Sequence, residues 1–396
     1  MMKPLNDNAH PLESLLQQHC PNGVEFKELG ELCEIRTGKL NANAKVENGK
    51  YPFFTCDETP YTINTYAFDC EAILISGNGS KVGHIHFYKG KFNAYQRTYI
   101  LSDFSIITSR FLFFILDTFL KSYILTKCKK ASIPYITLPM LENFPIPLPP
   151  LEIQYKIVEI LDAFTELQAE LEAELEARLK QYHYYRNKLL SHDELENRTA
   201  KSRNDSDPTP LVPYVSLGEV CEKVFAGGDL PKEYSKDKKP SGEFLYPIYS
   251  NGSDENSLYG FSKTYRIDAE AVTISARGTI GFHTTREAKF TPIVRLITLI
   301  PNLNKITNRF LNYALYTTHI EKYGTSAGIP QLTIPMLEKI TIPLPPLSVQ
   351  EEIVELLDKF DTLANDLTSG IPAEIEARKK QYEHYRERLL SFIAKD

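Results

Sequence analysis

One proline-rich stretch of this chain occurs twice, and that repetition limits every fold it can adopt. Ile133-Pro-Tyr-Ile-Thr-Leu-Pro-Met-Leu-Glu142 returns as Ile329-Pro-Gln-Leu-Thr-Ile-Pro-Met-Leu-Glu338. Shortly after each copy comes Ile146-Pro-Leu-Pro-Pro-Leu151 or its repeat Ile342-Pro-Leu-Pro-Pro-Leu347. The offset is 196 residues at both places and has grown to 200 by Glu176-Ala-Arg178 and Glu376-Ala-Arg378. A run of this composition repeating with its flanks is not accidental. The 396 residues are therefore two copies of one unit, each long enough to bury a core of its own.

Patterning within the copies separates two kinds of segment. Ala72–Ser76 is a short apolar run closed by Gly77-Asn-Gly79, His84–Tyr88 and Arg97–Leu101 alternate as strands do, and Ser109–Lys127 has the wide apolar face of a helix. The later half repeats this framework loosely. Leu217-Gly-Glu-Val-Cys221 answers Leu29-Gly-Glu-Leu-Cys33, Ala271–Ser275 answers Ala72–Ser76, and Arg309-Phe-Leu311 answers Arg110-Phe-Leu112. The loops between differ almost completely. Both modules read as α+β.

After each Pro-Pro boundary, where a preceding helix could not continue, a long stripe begins. The first runs through Ile157, Phe164, Leu171, Tyr182 and Tyr185, and the second through Ile353, Phe360, Leu367, Tyr382 and Tyr385, in steps built from threes and fours. Sustained over several heptads, the stripe predicts a helix–helix seam. Thr368-Ser-Gly-Ile-Pro372 interrupts the second and accounts for the four extra residues of offset. The tyrosines suit either plain helix packing or a partner interface. His192–Pro210 is polar without periodicity and reads as a connector. The predicted organisation is a lead-in with a short helix over 1–23, a first module over 24–147, a helical spacer over 148–197, a linker over 198–212, a second module over 213–343 and a second spacer over 344–396.

Several function classes find no support. There is no Gly-x4-Gly-Lys-Ser/Thr phosphate loop and no Asn/Asp-Pro-Pro-aromatic site for a flipped base. Phe225-Ala-Gly-Gly228 and the loose Asp268…Glu287-Ala-Lys289 set are weak patterns that turn glycines and common residues explain. No catalytic residue and no metal site is expected. The six cysteines are scattered, with no Cys-x-x-Cys pair, which suits a reducing cytoplasm. No eighteen-residue apolar run is present, so no membrane span is expected. Net charge is −6, yet residues 151–197 hold 5 Lys+Arg against 11 Asp+Glu and residues 347–396 hold 7 against 11. The acid sits on the stripes, and the modules carry a modest basic excess that permits DNA binding.

Candidate contact residues lie in loops at equivalent places in the two copies. Ser76-Gly-Asn-Gly-Ser-Lys-Val-Gly83 and Ser275-Ala-Arg-Gly-Thr-Ile-Gly281 offer Asn78, Ser80, Lys81, Arg277 and Thr279 as donors for phosphates or base edges; an ordinary polar hairpin is the alternative. Gln96-Arg97 and Arg295 follow, either as base readers or as braces for a structural carboxylate. Lys39 and Asn251 complete the candidate set. Lys129-Lys130 and the run Lys232–Lys239 read as solvated loop charge.

Taken together, Ile-Pro-Leu-Pro-Pro-Leu followed by Gln154 or Gln350, the endings Gln181-Tyr…Tyr-Arg186…Leu-Leu-Ser191 and Gln381-Tyr…Tyr-Arg386…Leu-Leu-Ser391, and Cys20-Pro-Asn-Gly-Val-Glu-Phe26 resemble the specificity subunit of a type I restriction–modification system. The resemblance covers essentially the whole chain. It implies two tandem α+β target-recognition domains, each reading half of a split sequence in double-stranded DNA. It also implies two long helices forming an antiparallel coiled coil with pseudo-two-fold symmetry, which spaces the modules and docks two methyltransferase subunits, with restriction/translocase subunits joining. The chain itself would bind no cofactor, S-adenosylmethionine, ATP and magnesium belonging to partners. The competing reading is a coiled-coil scaffold whose two modules bind protein, which the acidic net charge favours.

Overall fold

The computed structural model describes residues 18–127, 135–202, 212–324, 331–365 and 370–392. The short helix expected before residue 18, the Lys129-Lys130 pair, Leu367 and most of the 198–212 linker lie outside these residues.

The first module opens with β1 (Glu25–Glu28), the one-turn helix α1 (Leu29–Leu32) and β2 (Glu34–Thr37). Then follow β3 (Tyr51–Phe54), β4 (Tyr61–Ile63), β5 (Phe68–Ser76), β6 (Ile85–Ala94), β7 (Thr98–Ser102) and helix α2 (Ser109–Lys127). A short α3 (Leu138–Glu142) and β8 (Pro145–Leu148) close it, before α4 (Leu151–Leu189) and α5 (His192–Ser202). The second module repeats the plan with β9 (Tyr214–Ser216), α6 (Leu217–Val220), β10 (Cys221–Ala226), β11 (Tyr234–Ser235), β12 (Tyr246–Tyr249) and β13 (Leu258–Ser262). Next come β14 (Ala271–Ser275), β15 (His283–Arg286), β16 (Thr291–Pro292), β17 (Leu296–Pro301), α7 (Asn308–Leu315), α8 (Ile334–Leu337) and β18 (Thr341–Pro343). Two helices, α9 (Leu347–Asn365) and α10 (Ile371–Leu390), end the chain.

In the first module the sheet order is β2-β7-β5-β6-β3-β4. The second has the same order in two pieces, β10-β17-β14-β15 and β16-β12-β13-β11. Apart from the added edge strand β11, the difference lies in one strand. β6 runs unbroken for ten residues, turning through Gly90 at φ +130° while keeping its pairing with Cys70. Its counterpart is broken between β15 and β16, where Lys289 takes φ +70°. Glycine absorbs the left-handed bend without a Cβ clash, whereas lysine does so outside a ladder.

The repeated sequence motifs have clear local causes. Leu-Gly-Glu builds α1 and α6, each with a capping box: Glu31 answers Glu28, and Glu219 answers Ser216. Leu29 and Leu32, like Leu217 and Val220, are buried below. The Pro-Leu-Pro-Pro boundary forms the closing strand. β8 pairs antiparallel with β1 and β18 with β9, so each module's last strand lies on its first. Such two-stranded ribbons have free edges and tolerate proline. Cys33 and Cys221 occupy equivalent places inside, and burial pushes both thiols up to about 12.

The chain divides into two compact units, one of Met1–Glu172 with Glu374–Asp396 and one of Ala173–Ala373. The division falls inside α4. Each unit holds a module, the first part of the helical spacer that follows it, and the end of the other repeat's spacer. In the first unit Ile153, Ile157 and Leu161 share a core with α2 and with Leu389 and Leu390 of α10. In the second, Val349, Ile353 and Leu357 share one with α7, Tyr182, Leu189 and Leu190. The helix contacts are antiparallel within a unit. Glu172 faces Lys379 at 3.5 Å, while Phe164, eight residues earlier, stacks on Tyr385 at 5.5 Å. The second unit repeats the stack with the repeats exchanged, Phe360 on Tyr185 at 5.3 Å.

Two expectations need correction. The second long helix that the resemblance implies is two helices, parted where residues 368–372 interrupt the stripe in the sequence: α4 has 39 residues, α9 and α10 have 19 and 20. Gly370 and Pro372 stand at the start of α10, where a proline's missing N–H costs nothing. The polar segment read as a connector is helical up to Ser202. Its Leu195 and Thr199 are fully buried, and Arg198 is ion-paired with both Glu194 and Glu352. A helix with one narrow apolar edge and i,i+4 pairs leaves little periodic signal.

Module and spacer are joined by one buried side chain in each unit. Gln154, fully buried, accepts from the Thr108 N–H at 2.9 Å and donates to the carbonyls of Pro149 at 2.9 Å and Ile106 at 3.5 Å. Gln350 accepts from Thr307 N–H at 2.9 Å and donates to Pro345 at 2.8 Å and Lys305 at 2.9 Å. Arg110 with Asp162, and Arg309 with Asp358, add an ion pair beside each clamp. Replacing Gln154 or Gln350 by alanine leaves a buried N–H and carbonyls unmet, and the expected loss of stability is about 1–3 kcal/mol. Denaturant unfolding measures it; a change within error for both variants contradicts the clamp.

Candidate nucleic-acid interface

Three loops of each module are bound to one another by the same backbone hydrogen bonds. The first follows β3 or β12, the second is the glycine hairpin after β5 or β14, and the third is the turn entering β7 or β17. Tyr95 N–H donates to Phe54 O at 2.8 Å, as Ile293 N–H does to Tyr249 O at 2.9 Å. Gly77 N–H donates to Arg97 O at 2.9 Å, as Ala276 N–H does to Arg295 O at 3.2 Å. The hairpin is further tied to the strip before α3 or α8, with Ile136 N–H on Gly77 O at 2.8 Å and Leu332 N–H on Ala276 O at 2.9 Å. Gly79 and Gly83 have φ +86° and +80°, and Gly278 and Gly281 +80° and +84°. Both hairpins therefore follow one path that a side-chain-bearing residue would strain.

The glycines of Phe225-Ala-Gly-Gly228 find their cause here. A Cβ on Gly227 would stand 2.3 Å from Ile293 O, and one on Gly38 would stand 2.1 Å from Ala94 O. Both glycines let the chain pass beside the turn.

On this shared backbone the exposed side chains differ. In the first module Asn78 is half-buried, its Oδ1 accepting from Cys56 Sγ at 3.1 Å. Ser80 and Lys81 are exposed at the hairpin tip, with Lys81 ion-paired to Glu58 at 2.6 Å. That hydrogen bond and charge hold the Glu58 carboxyl below its ordinary value. Gln96 donates to Asn41 Oδ1 at 3.1 Å, and Arg97 beside it is exposed. Lys39 lines a cleft of about 670 Å3 with Arg36, Phe68 and Tyr99. In the second module Asn251, Arg277 and Arg295 come together around a cleft of about 440 Å3, completed by Ser250, Gly278 and Val294. Thr279 is exposed on the same hairpin, next to Gly278.

Loop comparison hid one equivalence. Cys56 and Asn251 stand five residues after Tyr51 and Tyr246, and each ties the first loop to the hairpin. Asn251 Oδ1 accepts from the N–H groups of Ala276 at 2.7 Å and Arg277 at 3.2 Å, while its Nδ2 donates to Arg277 O. Ser275 Oγ donates to Gly252 O at 2.9 Å. With its polar atoms engaged, Asn251 braces the platform. Cysteine and asparagine share no pattern, so only the register of β3 and β12 exposes the match.

Of the seam residues, Ile157, Ile353 and Tyr182 are buried, and Phe164, Leu171, Tyr185, Phe360, Tyr382 and Tyr385 are half-buried. Among the described residues, no helix is long and apolar enough to cross a membrane.

Two copies of a sheet-and-helix module, each presenting a variable three-loop platform, define a tandem recognition protein. A family model for the type I restriction modification DNA specificity domain matches residues 21–181 and again 212–377. The chain belongs to that family: it is a type I restriction–modification specificity subunit with two tandem target-recognition domains. A Mycoplasma pneumoniae protein named as a type I specificity subunit is 37% identical over 344 residues, covering 84% of this chain and 96% of that one. A Haemophilus influenzae protein named as a type I restriction enzyme specificity subunit is 31% identical over 420 residues, covering 98% and 100%. The crystal structure of a type I S subunit from M. genitalium shares the fold, with a TM-score of 0.60 at 20% identity over 99% of both chains.

Asn251→Ala removes the bonds that Asn251 makes to the buried amide of Ala276 and to Arg277. We expect it to destabilise the chain by about 1–3 kcal/mol, measured by thermal or denaturant unfolding. Asn251→Asp, which keeps the acceptor, should recover part of the loss; equal losses in the two variants would contradict the brace.

Proposed function

We propose that this subunit reads a bipartite DNA site and does no chemistry on it. Each target-recognition domain meets one half-site through its three-loop platform, and the helical spacers set the distance between half-sites. The observation carrying this reading is the platform itself, with one backbone path in both modules and different side chains at its exposed positions. Lys39, Ser80, Lys81, Gln96 and Arg97 are the candidate contacts of the first domain, with Asn78 at its hairpin; Arg277, Thr279 and Arg295 are those of the second.

The partners on this reading are two methyltransferase subunits and the restriction/translocase subunits, all in the cytoplasm. S-adenosylmethionine, ATP and magnesium would be held by those partners. Leu167 and Leu363, equivalent in the two repeats, are 37% and 40% exposed. A matched apolar pair of this kind suits two copies of one docking subunit. A relative 28% identical over 380 residues is named as the specificity subunit of the E. coli type I restriction enzyme EcoDI.

The duplicated Ala169-Glu-Leu-Glu-Ala-Glu-Leu-Glu176 of α4 allows a direct test. Within it only Leu171 and Leu175 are even half-buried. One further Ala-Glu-Leu-Glu adds about 6 Å of helix and rotates its end by about 40° beyond a full turn. That rise approaches two base pairs at about 3.4 Å each. Genome-wide mapping of methylated sites should show the unread gap widened with both half-sites unchanged. Altered half-sites around an unchanged gap would refute the spacer role.

A further inference from the structure

We infer that the second domain reads guanine, with Arg277 and Arg295 as its two readers; this deepens the DNA-reading function above and rests on it. Most of the molecule's other arginines outside the platforms are occupied. Arg110 and Arg309 are ion-paired to the spacer helices, and Arg386 meets Asp117 at 3.0 Å. Arg286 is buried against Tyr249 at 3.7 Å and donates to Ser257 and Thr273. By contrast, the guanidinium groups of Arg277 and Arg295 make no ion pair or side-chain hydrogen bond with the described residues. They line one cleft, about 440 Å3, whose other walls are Ser250, Asn251, Gly278 and Val294, none of them charged.

The backbone beneath the two arginines is held more firmly than a solvated loop requires. Asn251 spends both ends of its amide on the hairpin, fixing where Arg277 leaves the chain. Arg295 sits at φ +70°, a left-handed conformation that glycine or asparagine adopts more easily than arginine does. Keeping an exposed arginine there, with no carboxylate among the described residues to meet it, roots an unpaired planar fork at a fixed backbone position. That fork matches O6 and N7 of guanine, which accept two parallel hydrogen bonds in the major groove.

The first domain offers a different set at the same positions. Asn78 replaces Arg277 with its amide oxygen already accepting from Cys56, and Lys81 is neutralised by Glu58. Arg97 alone presents a guanidinium. Guanine reading by an arginine pair is therefore a property of the second half-site.

The test uses the full chain assembled with the modification subunits of its own system, selecting from a randomised duplex library at two salt concentrations. Arg277→Lys and Arg295→Lys keep the charge and remove the fork. Each should lower the guanine preference at one position by about tenfold or more, with both positions in the same half-site and the other half-site unchanged. Arg295→Gly, which relieves the φ +70° conformation and so does not threaten folding, should lose the same position as Arg295→Lys. Lysine variants that keep full guanine preference would overturn the inference. So would an Arg295→Gly variant that binds all sequences equally less well with a shallower salt dependence, since loss of the charge then marks a phosphate contact. A wild-type assembly with no sequence preference would instead defeat the DNA-reading function itself.

Discussion

A single glutamine at the first turn of each helical spacer holds this architecture together. Gln154 and Gln350 are the points where spacer, proline-rich boundary and module meet, because each joins a Pro-Pro carbonyl to the backbone just before the module's helix. Apolar packing of Ile153, Ile157 and Leu161 against the module resists sliding through shape alone. A buried amide with three satisfied partners does not slide, since any shift strands a donor or acceptor away from water. The adjacent ion pair from Arg110 to Asp162, or Arg309 to Asp358, sits about two turns further along and fixes the rotation. Polar bonds thus set how each spacer leaves its module, and Ile153, Ile157 and Leu161, or Val349, Ile353 and Leu357, supply the burial.

That division explains what was legible in the sequence. Whatever the two copies share could be read, because duplication acts as an internal comparison: the Leu-Gly-Glu turn, the Ala72–Ser76 strand, the helix over Ser109–Lys127 and the Pro-Leu-Pro-Pro boundary all recur. The role of Gln154 was visible only as a repeated letter, since its three partners come from backbone atoms that carry no residue identity. The helix His192–Ser202 was missed because Leu195 and Thr199 are its only fully buried positions. The seam was overextended for the opposite reason. A regular stripe through Leu171 and Leu175 promises more burial than those residues find, while the ends around Ile157 and Tyr182 are packed against modules.

The recognition platform shows the limit more sharply. The glycine hairpin and the arginine turn could be located, because Gly79, Gly83, Gly278 and Gly281 must sit where φ is positive. Which side chains brace and which remain free could not. Asn251 has the composition of a reader and the bonding of a brace, and Lys81 has the charge of a phosphate contact and a carboxylate already beside it. Such assignments depend on where backbone N–H groups point, which a single sequence does not encode.

A protein whose task is to recognise many different sequences across a family must change its contact residues without losing its fold. Here the bonds between the three loops run mostly from backbone to backbone, as with Gly77 to Arg97 and Ala276 to Arg295, and so are indifferent to the side chains they carry. One of the side-chain ties has a different residue in each copy, cysteine at position 56 standing where asparagine stands at 251. Substitution on the platform is therefore decoupled from the core, and the broken strand between β15 and β16 shows that even a sheet can part while the platform keeps its path. The clamps tie each module to its spacer helix through atoms outside the platform, so they do not constrain which side chains the platform carries.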